Sequence, residues 1–117
     1  MEHIINENIQ RIIEESVPGK QVTVAHVIAS PVPELFSSLN LEEKGAIGIL
    51  TLTPPETAII AADIATKSSD VRIGFVDRFT GSVVITGDVE SVETALESVN
   101  DVLKRTLKFA GTDVTRT

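Results

Sequence analysis

The chain has 117 residues, the size of one domain. Its 42% hydrophobic and 23% charged residues suit a folded globule and not a disordered segment. A net charge of −7 argues against nucleic acid, which needs clustered Lys and Arg, and the lack of cysteine excludes disulfides, thiolate chemistry and Cys-based zinc sites.

Residues 1–16 stand apart from the rest of the chain. Ile4, Ile5, Ile9, Ile12 and Ile13 recur at helical spacing among polar residues, the pattern of an amphipathic helix. Glu2, Glu7, Glu14 and Glu15 occupy a region that would be basic in a secretory signal. No stretch approaches the roughly 18 apolar residues of a membrane span. The chain therefore reads as cytosolic, with no membrane partner. Val17-Pro18-Gly19 breaks the helical pattern, and a domain over 17–117 begins there.

Gln21 to Ala29 is rich in β-branched residues and predicts a strand. Simple alternation puts Val22, Val24, His26 and Ile28 on one face and Thr23, Ala25, Val27 and Ala29 on the other. Ser30 as cap and Pro31 at the first helical position predict a short helix over 32–39. A loop over 40–44 comes next. Gly45 to Thr53 predicts a second strand, in which Gly45 and Gly48 mark a bend or a close approach. Thr53 and Glu56 have capping-box spacing with Pro54 at the first helical position, predicting a helix to about Ser68. Ala58, Ala61, Ala62 and Ala65 would let that helix pack closely. Asp63 and Lys67 have the i,i+4 spacing of an ion pair.

Val71–Phe79 and Ser82–Thr86 predict a hairpin joined by a tight turn at Thr80-Gly81, where Gly supplies a positive φ. The longest helix is predicted over Val89–Phe109, with Val92, Leu96, Val99 and Leu103 on its apolar face. Lys104, Arg105 and Lys108 form the one basic cluster and suit the dipole of that helix C-terminus. Residues 110–117 read as a polar tail. The order is β-α-β-α-β-β-α, an α+β fold. The last five elements match most of a ferredoxin-like split unit, and the strand and helix that would complete it come first. That is the signature of a circular permutation, tolerated where termini lie close together.

No nucleophile–base pair, metal spacing, GxGxxG or phosphate loop is present, so no catalytic, cofactor or metal site is assigned. His26, flanked by apolar residues in a strand, reads as a packed, hydrogen-bonded structural histidine. Asp77 and Arg78 alternate across the hairpin. They form either a solvated end or, where copies meet on an axis, a ring of charge. Phe79 at the tip either contacts another chain or folds back on its own domain.

Three blocks carry a family resemblance: VPGKQVTVAHVIASP at 17–31, GAIGILTLTPPETAIIAADIATKS at 45–68 and GFVDRFTGSVVITGDVESVE at 74–93. The chain resembles the circularly permuted BMC-domain shell proteins of bacterial microcompartments of the propanediol- and ethanolamine-utilisation type. The similarity runs from about residue 16 to the end. It implies a non-catalytic subunit of the bacterial cytoplasm, in the microcompartment shell. Cyclic hexamers of itself would tile with other shell proteins around encapsulated enzymes. Small polar metabolites would pass a central pore while an aldehyde is retained.

By the same resemblance, Arg78, Phe79, Thr80 and Gly81 line the pore and Lys67 meets its counterpart at the hexamer edge. The edge arginine of the family has no match, since Ser30 stands there, which implies weaker tiling. Permuted relatives can fold the N-terminal extension into strands capping the pore. Ile4, Ile5 and Ile9 would then be cap residues, against the helical reading of their spacing. Gly45 and Gly48 would allow a bent or variable ring. The rival reading is a ring-forming regulatory protein with a ferredoxin-like domain that binds a small molecule near His26 or Asp77-Arg78.

Overall fold

The computed structural model describes residues 19–43 and 45–117. The extension over 1–16, with the cap residues Ile4, Ile5 and Ile9, lies outside them. Strands β1 (Gln21–Ile28), β2 (Ala46–Thr53), β3 (Arg72–Asp77), β4 (Ser82–Gly87) and β5 (Thr115–Arg116) are interspersed with helices α1 (Pro33–Ser38), α2 (Thr57–Ser68) and α3 (Val89–Leu107). All five strands join one sheet in the order β3-β4-β2-β1-β5. Neighbours are antiparallel except β1 and β5, which run parallel.

The permutation is visible in this order. β1 takes the place beside β2 that a strand following α3 would take if the chain began at β2. The end of α3 also lies against the start of β1. Ala110 N donates to Lys20 O and Val22 N donates to Ala110 O, both at 2.9 Å. The two points that a permutation must join are hydrogen-bonded neighbours, so relocating strand and helix leaves the sheet intact.

Two apolar layers flank the sheet. On one face Leu50 and Ile85 of the sheet are fully buried together with Leu96, Val99 and Leu103 of α3. Ala58, Ala61 and Ala65 leave no side chain exposed and let α2 sit close to its neighbours. On the other face Phe36 of α1 packs with Ile47 and Val84.

Several sequence expectations are corrected. The β1 register shifts between Val22 and Val24, a bulge that inserts one residue. Val22 therefore shares the buried side with Ala25 and Val27, while Val24 is 42% exposed. Helix α1 begins at Pro33, not after Ser30-Pro31, with Val32 at the N-cap at ψ 141°. A residue before proline is pushed to extended backbone, so Val32 cannot be helical. The same effect places Thr53 in the β2 ladder opposite Gln21. Helix α2 starts at Thr57 and Glu56 caps it without a side-chain bond, so the capping box is not formed. The Thr53–Pro54 peptide is cis.

The polar tail is the last correction. Thr115–Arg116 form the edge strand β5, and Thr117 just beyond it continues the bonding: Thr117 N donates to Val27 O at 2.9 Å and Ala29 N to Thr117 O at 2.8 Å. Asn100 secures the approach to it, with Thr112 N donating to its Oδ1 at 3.1 Å. Helix α3 matches expectation at its start, where Asp88 Oδ1 accepts from Ser91 N at 2.9 Å. It stops two residues short of Phe109, because Lys108 adopts a left-handed φ of 62°.

Candidate functional site

The β3–β4 ladder closes on the pair Asp77 and Ser82, so the connection is Arg78-Phe79-Thr80-Gly81 and not the tighter Thr80-Gly81 turn. The loop is built by Asp77. Its Oδ1 accepts from Phe79 N at 2.9 Å and Thr80 N at 3.2 Å. Gly81 N donates to Asp77 O at 2.9 Å. Gly81 adopts a φ of +80° and its carbonyl accepts from Leu52 N at 2.8 Å, tying the tip to β2.

The Phe79 N–H, then the Thr80 hydroxyl and N–H, hold the Asp77 carboxyl below its ordinary value of 3.8. A depressed carboxyl stabilises the tip above its unfolded value and loses that effect as pH falls through the folded one. The protection of the Phe79 and Thr80 amides, taken relative to their intrinsic exchange rates, is therefore expected to fall only below about pH 4. Asp77→Asn should exchange faster at neutral pH and flatten that dependence. An amide exchange series on both chains checks this, and a flat wild-type profile contradicts it.

Phe79 does not fold back. It is 79% exposed, and the Arg78 guanidinium lies over it, with Cζ 5.1 Å from the ring centroid. Along β3, Ile73, Phe75 and Val76 are exposed as well, on a strand whose outer edge pairs with nothing among the described residues. The sequence reading missed this edge. Its signal was RIGFVD, apolar at successive positions where a half-solvated strand alternates.

Lys67 lies away from the tip, at the end of α2. Its Nζ pairs with Asp63 Oδ2 at 2.8 Å, the expected i,i+4 contact, and both side chains stay exposed. The same helix carries Ile59 and Ile60, 52% and 44% exposed.

Gly45 and Gly48 differ in kind. Gly45, just before β2, has a φ of +64°, and an added Cβ would lie 3.0 Å from Gly87 O. Gly48 has no such φ. A Cβ there would meet Val92 Cγ1 at 2.7 Å and Ile85 Cγ1 at 2.8 Å, so its glycine admits α3 to the sheet.

His26 is hydrogen-bonded, as expected of a structural histidine. Nδ1 lies 2.6 Å from Thr115 Oγ1 and Nε2 2.8 Å from Thr117 Oγ1. Both ring nitrogens are thus engaged by the C-terminal edge, which leaves neither aimed at a ligand. Among the described residues, no group of three or more His, Cys, Asp or Glu is placed to hold a metal ion.

Comparison with known proteins gives a consistent result. Residues 46–115 match the BMC domain. The chain is 57% identical over 108 residues to the microcompartment shell protein PduU of Salmonella typhimurium, covering 92% of this chain and 93% of that one. It is 55% identical over 108 residues to the shell protein CutR of Streptococcus intermedius, with the same coverage. A CutR flat hexamer superposes with a TM-score of 0.82 at 52% identity, covering 90% of this chain and 97% of that one. A CutR screw of 41.9 Å pitch gives 0.81 at 51% identity, covering 86% and 100%.

Proposed function

The chain belongs to the BMC-domain family of bacterial microcompartment shell proteins, and we propose on that footing that it is a structural shell subunit that closes into hexamers. The observation that carries this is the flat hexamer built by a chain 52% identical to it over nearly its whole length. The chain's own surface agrees. Ile73, Phe75 and Val76 along an open sheet edge are costly to leave in water and suit a copy of the same chain. The subunit resides in the microcompartment shell of the bacterial cytoplasm, with other shell proteins and enclosed enzymes as partners. It performs no catalytic step.

Copies joined head to tail in a closed ring leave an opening on the axis. The tip Arg78-Phe79-Thr80-Gly81 lines that opening and governs passage by its width and polarity. The extension over 1–16, with Ile4, Ile5 and Ile9, caps it. Lys67 meets its counterpart where hexamers abut. Lys67→Ala is expected to leave rings intact while abolishing extended sheets in negative stain. Sheets of wild-type extent from this variant would contradict the edge role.

Gly45 gives the ring its freedom to bend. CutR forms both flat hexamers and screws, which supports reading this chain the same way. Gly45→Val should narrow the variety of assemblies, and an unchanged population would remove the role. The reading as a whole is tested by native mass and imaging. Six copies of a 12.5 kDa chain give rings of about 75 kDa. A single copy at every concentration would overturn it.

A further inference from the structure

We propose that the open β3 edge of one copy seats against the C-terminal edge of the next, with Val76 meeting Val114 across the seam. This names the mating surfaces of the ring and rests on the reading above, in which the hairpin tips point to a common axis.

The ladders place the two residues. Val76 pairs with Val83, Val83 with Leu50 and Leu50 with Ala25. In the parallel register of β1 and β5, His26 pairs with Thr115, so Val114 is the residue that falls beside Ala25. The Thr115 hydroxyl also donates to Ala25 O at 3.4 Å. Val76 and Val114 therefore end a single rung that crosses the whole sheet. The rung has one face: Val83, Leu50 and Ala25 belong to the core that holds Leu96 and Val99 of α3, and Val114 packs on that core. Val76 is exposed and Val114 half-buried, so both ends of this apolar rung still reach water.

Cyclic symmetry selects such a pair. Rotation about an axis preserves each residue's distance from the axis and its height along it. With the hairpin running inward, depth from the tip becomes radius and the face of the sheet becomes height. The two ends of one rung then match in both, on opposite flanks of the subunit, as a head-to-tail contact requires. Phe75 lies on the same edge but pairs with Val84 and faces the α1 side, so it does not share this contact. Strand β3 runs toward the tip and β5 away from it, so the two edges meet antiparallel.

The charges agree. Val114 lies in a groove between α3 and the C-terminal segment, beside Glu97, Asp101 and Asp113 against the single cation Lys104. Asp77 pairs with Ser82, Ser82 with Thr51 and Thr51 with Val24, and the β1–β5 register carries that rung on to Asp113. Arg78 follows Asp77 at the same depth. Among the described residues, Lys67, Arg72, Arg105 and Arg116 have ion-pair partners on their own chain, and neither Arg78 nor Asp113 has one. The Asp77 carboxylate is turned into its own loop, toward Phe79 N and Thr80 N. Arg78 and Asp113 are unmatched within a copy and matched between neighbours.

Disulfide trapping tests the seam, since the chain has no cysteine of its own. Full-length Val76→Cys/Val114→Cys protein, oxidised with diamide, should give a ladder on denaturing gels that ends at about six copies and collapses on reduction. A mixture of the two single variants should give a linked pair and nothing larger, and neither single variant alone should link. Phe75→Cys/Val114→Cys should link to no more than about a tenth of that yield. Should the double variant fail to close, the linked pair from the mixture decides the matter. Wild-type rings with no linked pair from the mixture, linking within one single variant, or equal yield from the Phe75 pair overturns the seam while leaving the ring intact. Absence of rings in the wild type instead overturns the assembly on which the seam depends.

Discussion

Gly81→Ala is expected to lower the melting temperature by roughly 10 °C at fixed protein concentration. Gly81 holds a φ of +80°, and an added Cβ would collide with Leu52 O and lie 3.0 Å from Pro55 Cα. Both obstacles are backbone, so neither can rotate away. A non-glycine residue in left-handed backbone costs about 1–3 kcal/mol. Relief of the overlap also requires the tip to leave β2, breaking the bond from Leu52 N to Gly81 O, itself about 1 kcal/mol. The total is near 3 kcal/mol by these estimates. The effect reaches the rest of the tip, because the same bond anchors the loop that carries Phe79 and Arg78. Differential scanning calorimetry measures it, and a shift under about 2 °C would show that the tip is not anchored to β2 in this way.

The second large effect concerns Gly48→Val, expected to destabilise by about 3 kcal/mol through overpacking. The carbon atoms that a side chain would strike belong to Val92 and Ile85, and both residues are fully buried. Neither can retreat without displacing α3 from the sheet. Denaturant titration should therefore show a lower midpoint with an unchanged slope, the mark of lost stability without a change in exposed area. This variant also separates the two glycines. A packing glycine shows its loss in the monomer fold, whereas the hinge proposed at Gly45 would show it in assembly shape as well. A Gly48→Val chain as stable as wild type would return Gly48 to the role of a flexible joint.

Much of this architecture could be read from the residues. The helical run from Val89 to Leu107 with its Asp88 cap, the paired strands around residue 80, and the alanine face of α2 are local signals. Their cause lies within a few residues of each position. What escaped was decided at a distance. β5 is polar and two residues long, and it exists because His26 and the β1 edge, 89 and 91 positions away for the two threonine bonds, receive it. The bulge at Val22–Val24 is likewise a matter of β1 meeting β2, invisible to simple alternation.

The misread helix starts have another origin. Ser30-Pro31 and Thr53-Pro54 carry good capping letters, but in each region a proline forces its predecessor into extended backbone. The preference for strand geometry at Val32 and Thr53 overrode the cap. At the tip, the sequence placed Gly81 correctly in left-handed backbone and mistook the loop length. Asp77 closes the turn with its side chain, and the strands stop pairing there instead of continuing to Phe79. Whether Phe79 faced inward or outward was open from sequence, because an isolated aromatic obeys no period.

The central claim is that copies of this chain gather with their hairpin tips around one rotational centre. The natural chain has no cysteine, so Phe79→Cys offers a unique point for a nitroxide label. Pulsed dipolar spectroscopy on the labelled protein should give multi-spin coupling with distances of no more than about 30 Å, as expected of several labels around one opening. A signal lacking dipolar modulation, or a single long distance, would contradict a ring closed on Phe79.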